Sequence, residues 1–233
     1  MAEGAFAHPE YLVDAAWVEA HKDDLNVVVV DCDVEAGYNR GHIPGAALVP
    51  DNFQKDPDTN GVHLMNTDQF KRMCEGLGIG DDTLVITYDN TQSLTAARLW
   101  WVLNTYGHND VKVLDGGWRR WVTERREVSF ARSQTSPNTS FTPKSDESML
   151  VKVDELKTAC NLEDAVIWDV RSDGEWDGSA GRGNKRVGHI PGAVHLEWFN
   201  LLDRETYRFK PPGEIRQILA DKGVTPDKKI YTY

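Results

Sequence analysis

Residues 41–46 read GHIPGA, and residues 188–193 read GHIPGA again. A repeated hexapeptide decides a fold only if its surroundings repeat in the same order, and they do. Ahead of each copy lies an apolar, β-branched run ending in Asp, VVVVD at 27–31 and AVIWD at 165–169. Runs of that kind are strands buried on both faces of a parallel sheet. Behind each copy come an amphipathic stretch, a Gly and a second strand. In the first copy these are 68–76 (DQFKRMCEG), Gly78 and 83–88 (TLVITY); in the second they are 213–222 (GEIRQILADK), Gly223 and 228–233 (KKIYTY).

The registers locate one insertion. Gly78 with Gly223 and Tyr88 with Tyr233 are offset by 145, the hexapeptides by 147 and the strand-end Asp31 and Asp169 by 138. The second copy therefore carries nine extra residues (147 − 138) between strand and hexapeptide, in the Gly-rich, basic run 178–187, GSAGRGNKRV. The first copy continues past Tyr88 with DNTQSL, an apolar helical pattern through Ala96, Leu99, Trp100, Leu103 and Tyr106, a strand at 111–114, and DGGW at 115–118. By the repeat, the second copy is expected to continue past Tyr233 with a counterpart of residues 89–121, about 33 residues. What is expected there is the loop after a strand of an open α/β sheet, where ligands and chemistry sit.

Two copies in 233 residues mean two domains, expected at 1–128 and 149–233. Between them, 129–148 (SFARSQTSPNTSFTPKSDES) is rich in Ser, Thr and Pro and reads as a linker rather than a core element. The fold class is α/β: two parallel sheets, each with helices on both faces, the second domain incomplete. Asp14 reads as the N-cap of a helix ending near His21, and Asn66 or Thr67 as the cap of the helix that buries Phe70, Met73 and Cys74. Residues 51–63 read as an exposed loop, and 153–160 as the first helix of the second domain.

Bulk composition excludes several classes. A net charge of −11 and a pI near 5.1 do not suit a nucleic-acid backbone or an anionic membrane as partner. Residues 1–10 (MAEGAFAHPE) lack the basic and apolar regions of a leader, and no segment approaches a membrane span. Cys32, Cys74 and Cys160 form neither a disulfide framework nor a zinc site, so a reducing, cytoplasmic setting is expected. His42 and His189 offer no HxH or HxxxH spacing; each is expected to tie its Gly- and Pro-bent loop by hydrogen bonds, and no metal or other cofactor is expected.

The strand-end segments of the two copies differ in their chemistry. Asp169, Arg171 and Glu175 face Asp31, Asp33 and Gly37, so only the first Asp persists. An Arg and carboxylates at a strand end can bind an anion and brace a loop, or simply pair with each other.

Taken with both hexapeptides and LDGGW at 114–118, the run DVRSDGEW at 169–176 resembles the rhodanese family, in particular its tandem-domain sulfurtransferases, over nearly the whole chain. The resemblance implies a silent first domain. It also implies a second domain whose nucleophilic Cys opens a six-residue loop, here directly after Tyr233. Asp89 holds that position in the first copy, and a carboxylate cannot become a persulfide. Asp169, Arg171 and Glu175 are the implied supporting residues, with Arg182, Lys185 and Arg186 as weaker candidates for attracting an anionic donor. Of the cysteines present, Cys32 is the best alternative nucleophile, but its counterpart is Val170; Cys74 and Cys160 read as core.

The implied activity is transfer of a sulfane sulfur from thiosulfate to a thiol or cyanide acceptor, by a protein expected to be a monomer, with the 233 residues alone inactive. The runner-up readings are a mercaptopyruvate sulfurtransferase, a non-catalytic tandem binding module, and a related phosphatase with a loop one residue longer.

Overall fold

The computed structural model describes residues 4–51, 53, 58, 64–135 and 139–233. Most of the loop expected at 51–63 lies outside the described residues. Contacts divide the chain into two compact units. One is built on His8–Met149 with Arg204–Arg208, the other on Leu150–Asp203 and Phe209–Tyr233 together with the N-terminal end.

The first unit is a parallel five-stranded sheet in the order β1-β5-β4-β2-β3. Its strands are β1 (Leu12–Val13), β2 (Val27–Asp31), β3 (Ala47–Leu48), β4 (Leu84–Tyr88) and β5 (Val111–Leu114). The helices are α1 (Ala15–His21), α2 (Glu35–Tyr38), α3 (Thr67–Gly76), α4 (Leu94–Thr105) and α5 (Gly117–Thr123). Successive valines of β2 serve two cores. Val28 and Val30 pack with Phe70, Leu99 and Leu103 of α3 and α4, while Val27 and Val29 pack with Val18 and Trp121 of α1 and α5. Strand side chains alternate faces, so an unbroken β-branched run is what a sheet covered on both sides requires.

Asp14 caps α1, its carboxylate accepting from the Trp17 N–H at 2.8 Å. Asn66 rather than Thr67 caps α3, in a reciprocal capping box with Gln69.

Within the segment expected to be an ordered or semi-flexible linker, one residue joins a core. Phe141 is buried in the α3/α4 core, edge-on to Phe70, and Thr142 donates its N–H and hydroxyl to Asp81 at 2.6 and 2.8 Å. A composition averaged over the segment hides one aromatic anchor among polar residues that bind the surface.

The second unit holds a three-stranded parallel sheet, β7-β6-β8, from β6 (Ala165–Asp169), β7 (Val194–His195) and β8 (Lys229–Thr232). Its helices are α6 (Val153–Ala159), α7 (Asp173–Asp177) and α8 (Pro212–Asp221). Ala159, Ile167 and Tyr231 form its buried cluster, with Leu156, Ile190 and Tyr233 packed against it. Cys160 is exposed, contrary to the core position expected for it. Helix α6 ends at Ala159, which takes the buried place, and Cys160 at the C-cap turns to solvent.

Phe141→Ala is expected to lower the stability of the first unit by about 3–5 kcal/mol, the cost of emptying a buried aromatic site. Removing the exposed Arg132–Glu35 pair by Arg132→Ala should change it by less than about 0.5 kcal/mol. Denaturant midpoints of the two variants make the comparison, and equal midpoints would show that Phe141 carries no weight in that core.

Candidate active site

Both units carry the same polar tie at the carboxyl edge of their sheets. In the first, Asp31 ends β2 with 2% of its surface exposed, and Tyr88 at the end of β4 donates its hydroxyl to Asp31 Oδ2 at 2.6 Å. The same hydroxyl accepts the Ile43 N–H of the hexapeptide at 3.1 Å. In the second unit Tyr233 hydrogen-bonds Asp169 and accepts the Ile190 N–H at 2.9 Å. The histidines repeat as well. His42 stacks on Tyr38 at 3.7 Å and donates Nδ1–H to its carbonyl at 2.9 Å; His189 stacks on Trp176 at 3.5 Å and donates to that carbonyl at 2.9 Å. The nine extra residues leave the chain between Trp176 and His189, so the insertion does not disturb the tie.

Around this shared frame the electrostatics diverge. Asp169, fully buried, takes Arg171 in a fork: Nε to Oδ1 at 3.0 Å, Nη2 to Oδ2 at 2.5 Å, with the Arg171 N–H also on Oδ1 at 3.0 Å. The guanidinium donates further to the Gly188 carbonyl at 3.0 Å and lies 4.9 Å from the centre of the Tyr233 ring. Burial alone would raise the Asp169 carboxyl, but the hydrogen bonds from Arg171 and Tyr233 outweigh it and hold it below the usual carboxylate range. The first unit has Asp33 where the second has Arg171. Without a cation, burial pushes Asp31 up to about 7, and Asp33 rises too.

Asp33 instead accepts the Asn90 N–H at 3.1 Å, the first backbone amide of the loop after Asp89. That loop closes on the Asp89 carboxylate. Oδ1 accepts from the N–H groups of Thr91 and Ser93 at 3.0 and 2.8 Å; Oδ2 accepts from the N–H groups of Thr95 and Ala96, each at 2.8 Å, and from the Thr95 hydroxyl at 2.9 Å. Gln92 and Ser93 take φ near +65° and +68° to turn these amides inward at the start of α4. Gly117 (φ +51°) lets the chain press against Asp89, whose carbonyl accepts the Trp118 N–H at 2.8 Å. A Cβ at Gly117 would collide with that carbonyl, which accounts for the second glycine of DGGW.

The structure brings Asp169 and Arg171 together but gives Glu175 separate work. Glu175 forms a capping box with Ser172 at the start of α7, accepting the Ser172 hydroxyl at 2.7 Å, and this hydrogen bond holds its carboxyl low. Arg182 reaches Glu175 at 3.2 Å, while Lys185 and Arg186 are exposed and make no ion pair among the described residues. The spacing Ser172-x-x-Glu175 signals the capping box in sequence. Cys32 is buried, and burial together with Asp89, Asp31 and Asp33 pushes its thiol up, away from the thiolate form a nucleophile needs. No group of three potential ligands for a metal occurs among the described residues.

The class defined here is a duplicated parallel α/β fold with an amide-lined loop at the carboxyl edge of its first sheet. The Rhodanese-like domain family matches residues 14–124 and 152–233, and the chain belongs to this family. It is 32% identical to the sulfur carrier protein TtuD of Thermus thermophilus over 247 residues, covering 98% of this chain and 83% of the relative. It is 31% identical to a candidate thiosulfate sulfurtransferase of Mycolicibacterium smegmatis, covering 97% of this chain and 83% of that protein. The crystal structure of SseA from Escherichia coli, a 3-mercaptopyruvate sulfotransferase with the rhodanese fold, superposes with a TM-score of 0.84 at 28% identity, covering 95% of this chain and 87% of SseA.

The two strand-end aspartates should titrate with opposite effect. Asp31 is raised in the folded state, so its contribution to stability is present below about pH 4 and is lost as pH rises through about 7, by at most about 4 kcal/mol. Asp169 is lowered, so its contribution is present above about pH 4 and is lost as pH falls below that. Denaturation between pH 4 and 8 should show a loss of stability with rising pH that Asp31→Asn reduces, the remainder being the share of Asp33; an unchanged slope in that variant would contradict the assignment.

Proposed function

We propose that the full-length protein is a sulfurtransferase that moves the outer sulfur of thiosulfate to a thiol or cyanide acceptor through a cysteine persulfide. The observation that carries this reading is the cradle around Asp89. In the first unit, the residue directly after the β4 tyrosine collects four backbone amides and one hydroxyl on its anionic side chain. The second unit repeats the strand, the tyrosine and the hexapeptide tie. A cysteine after Tyr233 in an equivalent cradle would sit at a helix N-terminus, where amides lower a thiol's pKa. In this reading residues 1–128 form the inert domain and 149–233 the start of the catalytic one.

The chemistry is two displacements at sulfur. The thiolate attacks the outer sulfur of thiosulfate, the S–S bond of the donor breaks, and sulfite leaves with the electron pair. The acceptor thiolate or cyanide then attacks the outer persulfide sulfur and the enzyme thiolate departs. Arg171, held by Asp169, faces the donor's charge; Glu175 and its partner Arg182 shape the α7 end; Lys185 and Arg186 add a diffuse positive field. No cofactor enters either step, and a reducing cytoplasm supplies thiol acceptors.

The likeness to SseA favours 3-mercaptopyruvate as the second donor to test. The expected outcome is that the 233-residue chain releases no thiocyanate from thiosulfate and cyanide, whereas the full-length protein does, with a higher kcat/KM for thiosulfate than for 3-mercaptopyruvate. Turnover by the 233-residue chain would show the nucleophile to be elsewhere, and a reversed donor ratio would transfer the assignment to mercaptopyruvate.

A further inference from the structure

One histidine of the second unit is absent from the repeat and reaches the backbone of Arg171. His195, on β7, is in register with Asp169 of β6, where the first unit pairs Leu48 of β3 with Asp31. Its Nε2 lies 3.0 Å from the Arg171 carbonyl oxygen. A carbonyl only accepts, so Nε2 carries the proton. The ring is only 16% exposed, lies parallel to Trp176 at 4.9 Å, and has Asp173 3.6 Å from Nδ1.

Trp176 is therefore stacked with two imidazoles, His189 and His195. Of the two, only His195 reaches the Asp169–Arg171 segment. Arg171 is gripped from three directions: its N–H and guanidinium by Asp169, the guanidinium again by Gly188, its carbonyl by His195. In the first unit the place of Arg171 is taken by Asp33 and that of His195 by Leu48; the cation and the donor that fixes its backbone are present together or absent together.

We propose that His195 is a positioning residue for Arg171: by donating Nε2–H to the Arg171 carbonyl it fixes the backbone from which the guanidinium is presented to an anionic sulfur donor. The inference rests on the sulfurtransferase reading for its kinetic consequence, but not for its geometry. Leucine fills the space without a donor, as Leu48 does in the first unit. Glutamine places an N–H close to the position of Nε2.

The test compares His195→Leu and His195→Gln in the full-length protein. The first readout is the Arg171 Nε–H signal in nitrogen-15 NMR, assigned by its loss in Arg171→Lys. It should be sharp and slowly exchanging in the wild type and in His195→Gln, and broadened or lost in His195→Leu. The second is kinetic: His195→Leu should raise KM for thiosulfate about tenfold with kcat within about threefold, the signature of a lost binding geometry, while His195→Gln stays within about threefold on both. A sharp Arg171 signal in His195→Leu overturns the proposal. If that variant does not fold, a broadened signal in folded His195→Gln overturns it, and a sharp one supports it. A wild type that shows the NMR behaviour but transfers no sulfur would retire the sulfurtransferase reading and leave the positioning role standing.

Discussion

A buried aspartate at a strand end, a tyrosine hydroxyl on the next strand and an isoleucine amide in the hexapeptide form the interaction on which both units depend. The tyrosine hydroxyl joins the other two by donating to the carboxylate and accepting from the amide. Neither end of this chain can be left unpaired at little cost, because a buried carboxylate or amide without a partner loses its full hydration. The tie therefore holds the loop after β2 or β6 against the strand that leads to that tyrosine. It brings a bent, glycine-rich segment into register with a sheet that it does not join by strand pairing.

That requirement explains why the repeat was legible. Ile43 and Ile190 must offer a backbone N–H at one place, His42 and His189 must stack on the preceding aromatic, and the glycines on either side take positive φ. Each demand falls on a local residue type, so it appears as a hexapeptide. The four valines of β2 and the cap at Asp14 were readable for the same reason, since strand alternation and helix capping act over a few residues.

Less legible were features set by contacts distant in sequence. Phe141 enters a core formed some seventy residues earlier, and nothing in its own neighbourhood marks it. Cys160 missed its expected burial because one residue of helix length rotates a side chain from core to solvent. At the site, the Asp169–Arg171 fork is local and could be anticipated, whereas the contact of His195 with the Arg171 carbonyl spans 24 residues and depends on the pairing of β6 with β7. The capping box at Ser172 and Glu175 is equally local, written in the Ser-x-x-Glu spacing.

The two units also differ in the electrostatics that a nucleophile placed after the strand-end tyrosine would meet. A unit charge about 4 Å away, at an effective dielectric of about 20, is worth about 4 kcal/mol, equivalent to about three pK units. In the first unit three carboxylates, Asp31, Asp33 and Asp89, gather near the strand ends, with the Arg40 charge acting on Asp33, and the field of the three is among the causes that push the neighbouring Cys32 thiol up. In the second, Arg171 stands where Asp33 did, and the sign of that contribution reverses. A cysteine placed at position 89 would enter the amide cradle but would still face Asp31 and Asp33, so part of what the cradle contributes toward a thiolate would be offset by like charge. On the sulfurtransferase reading, conversion of one unit into the other would therefore require the cation at the strand end as well as a cysteine in the loop, and the backbone donor that holds that cation would belong to the same change.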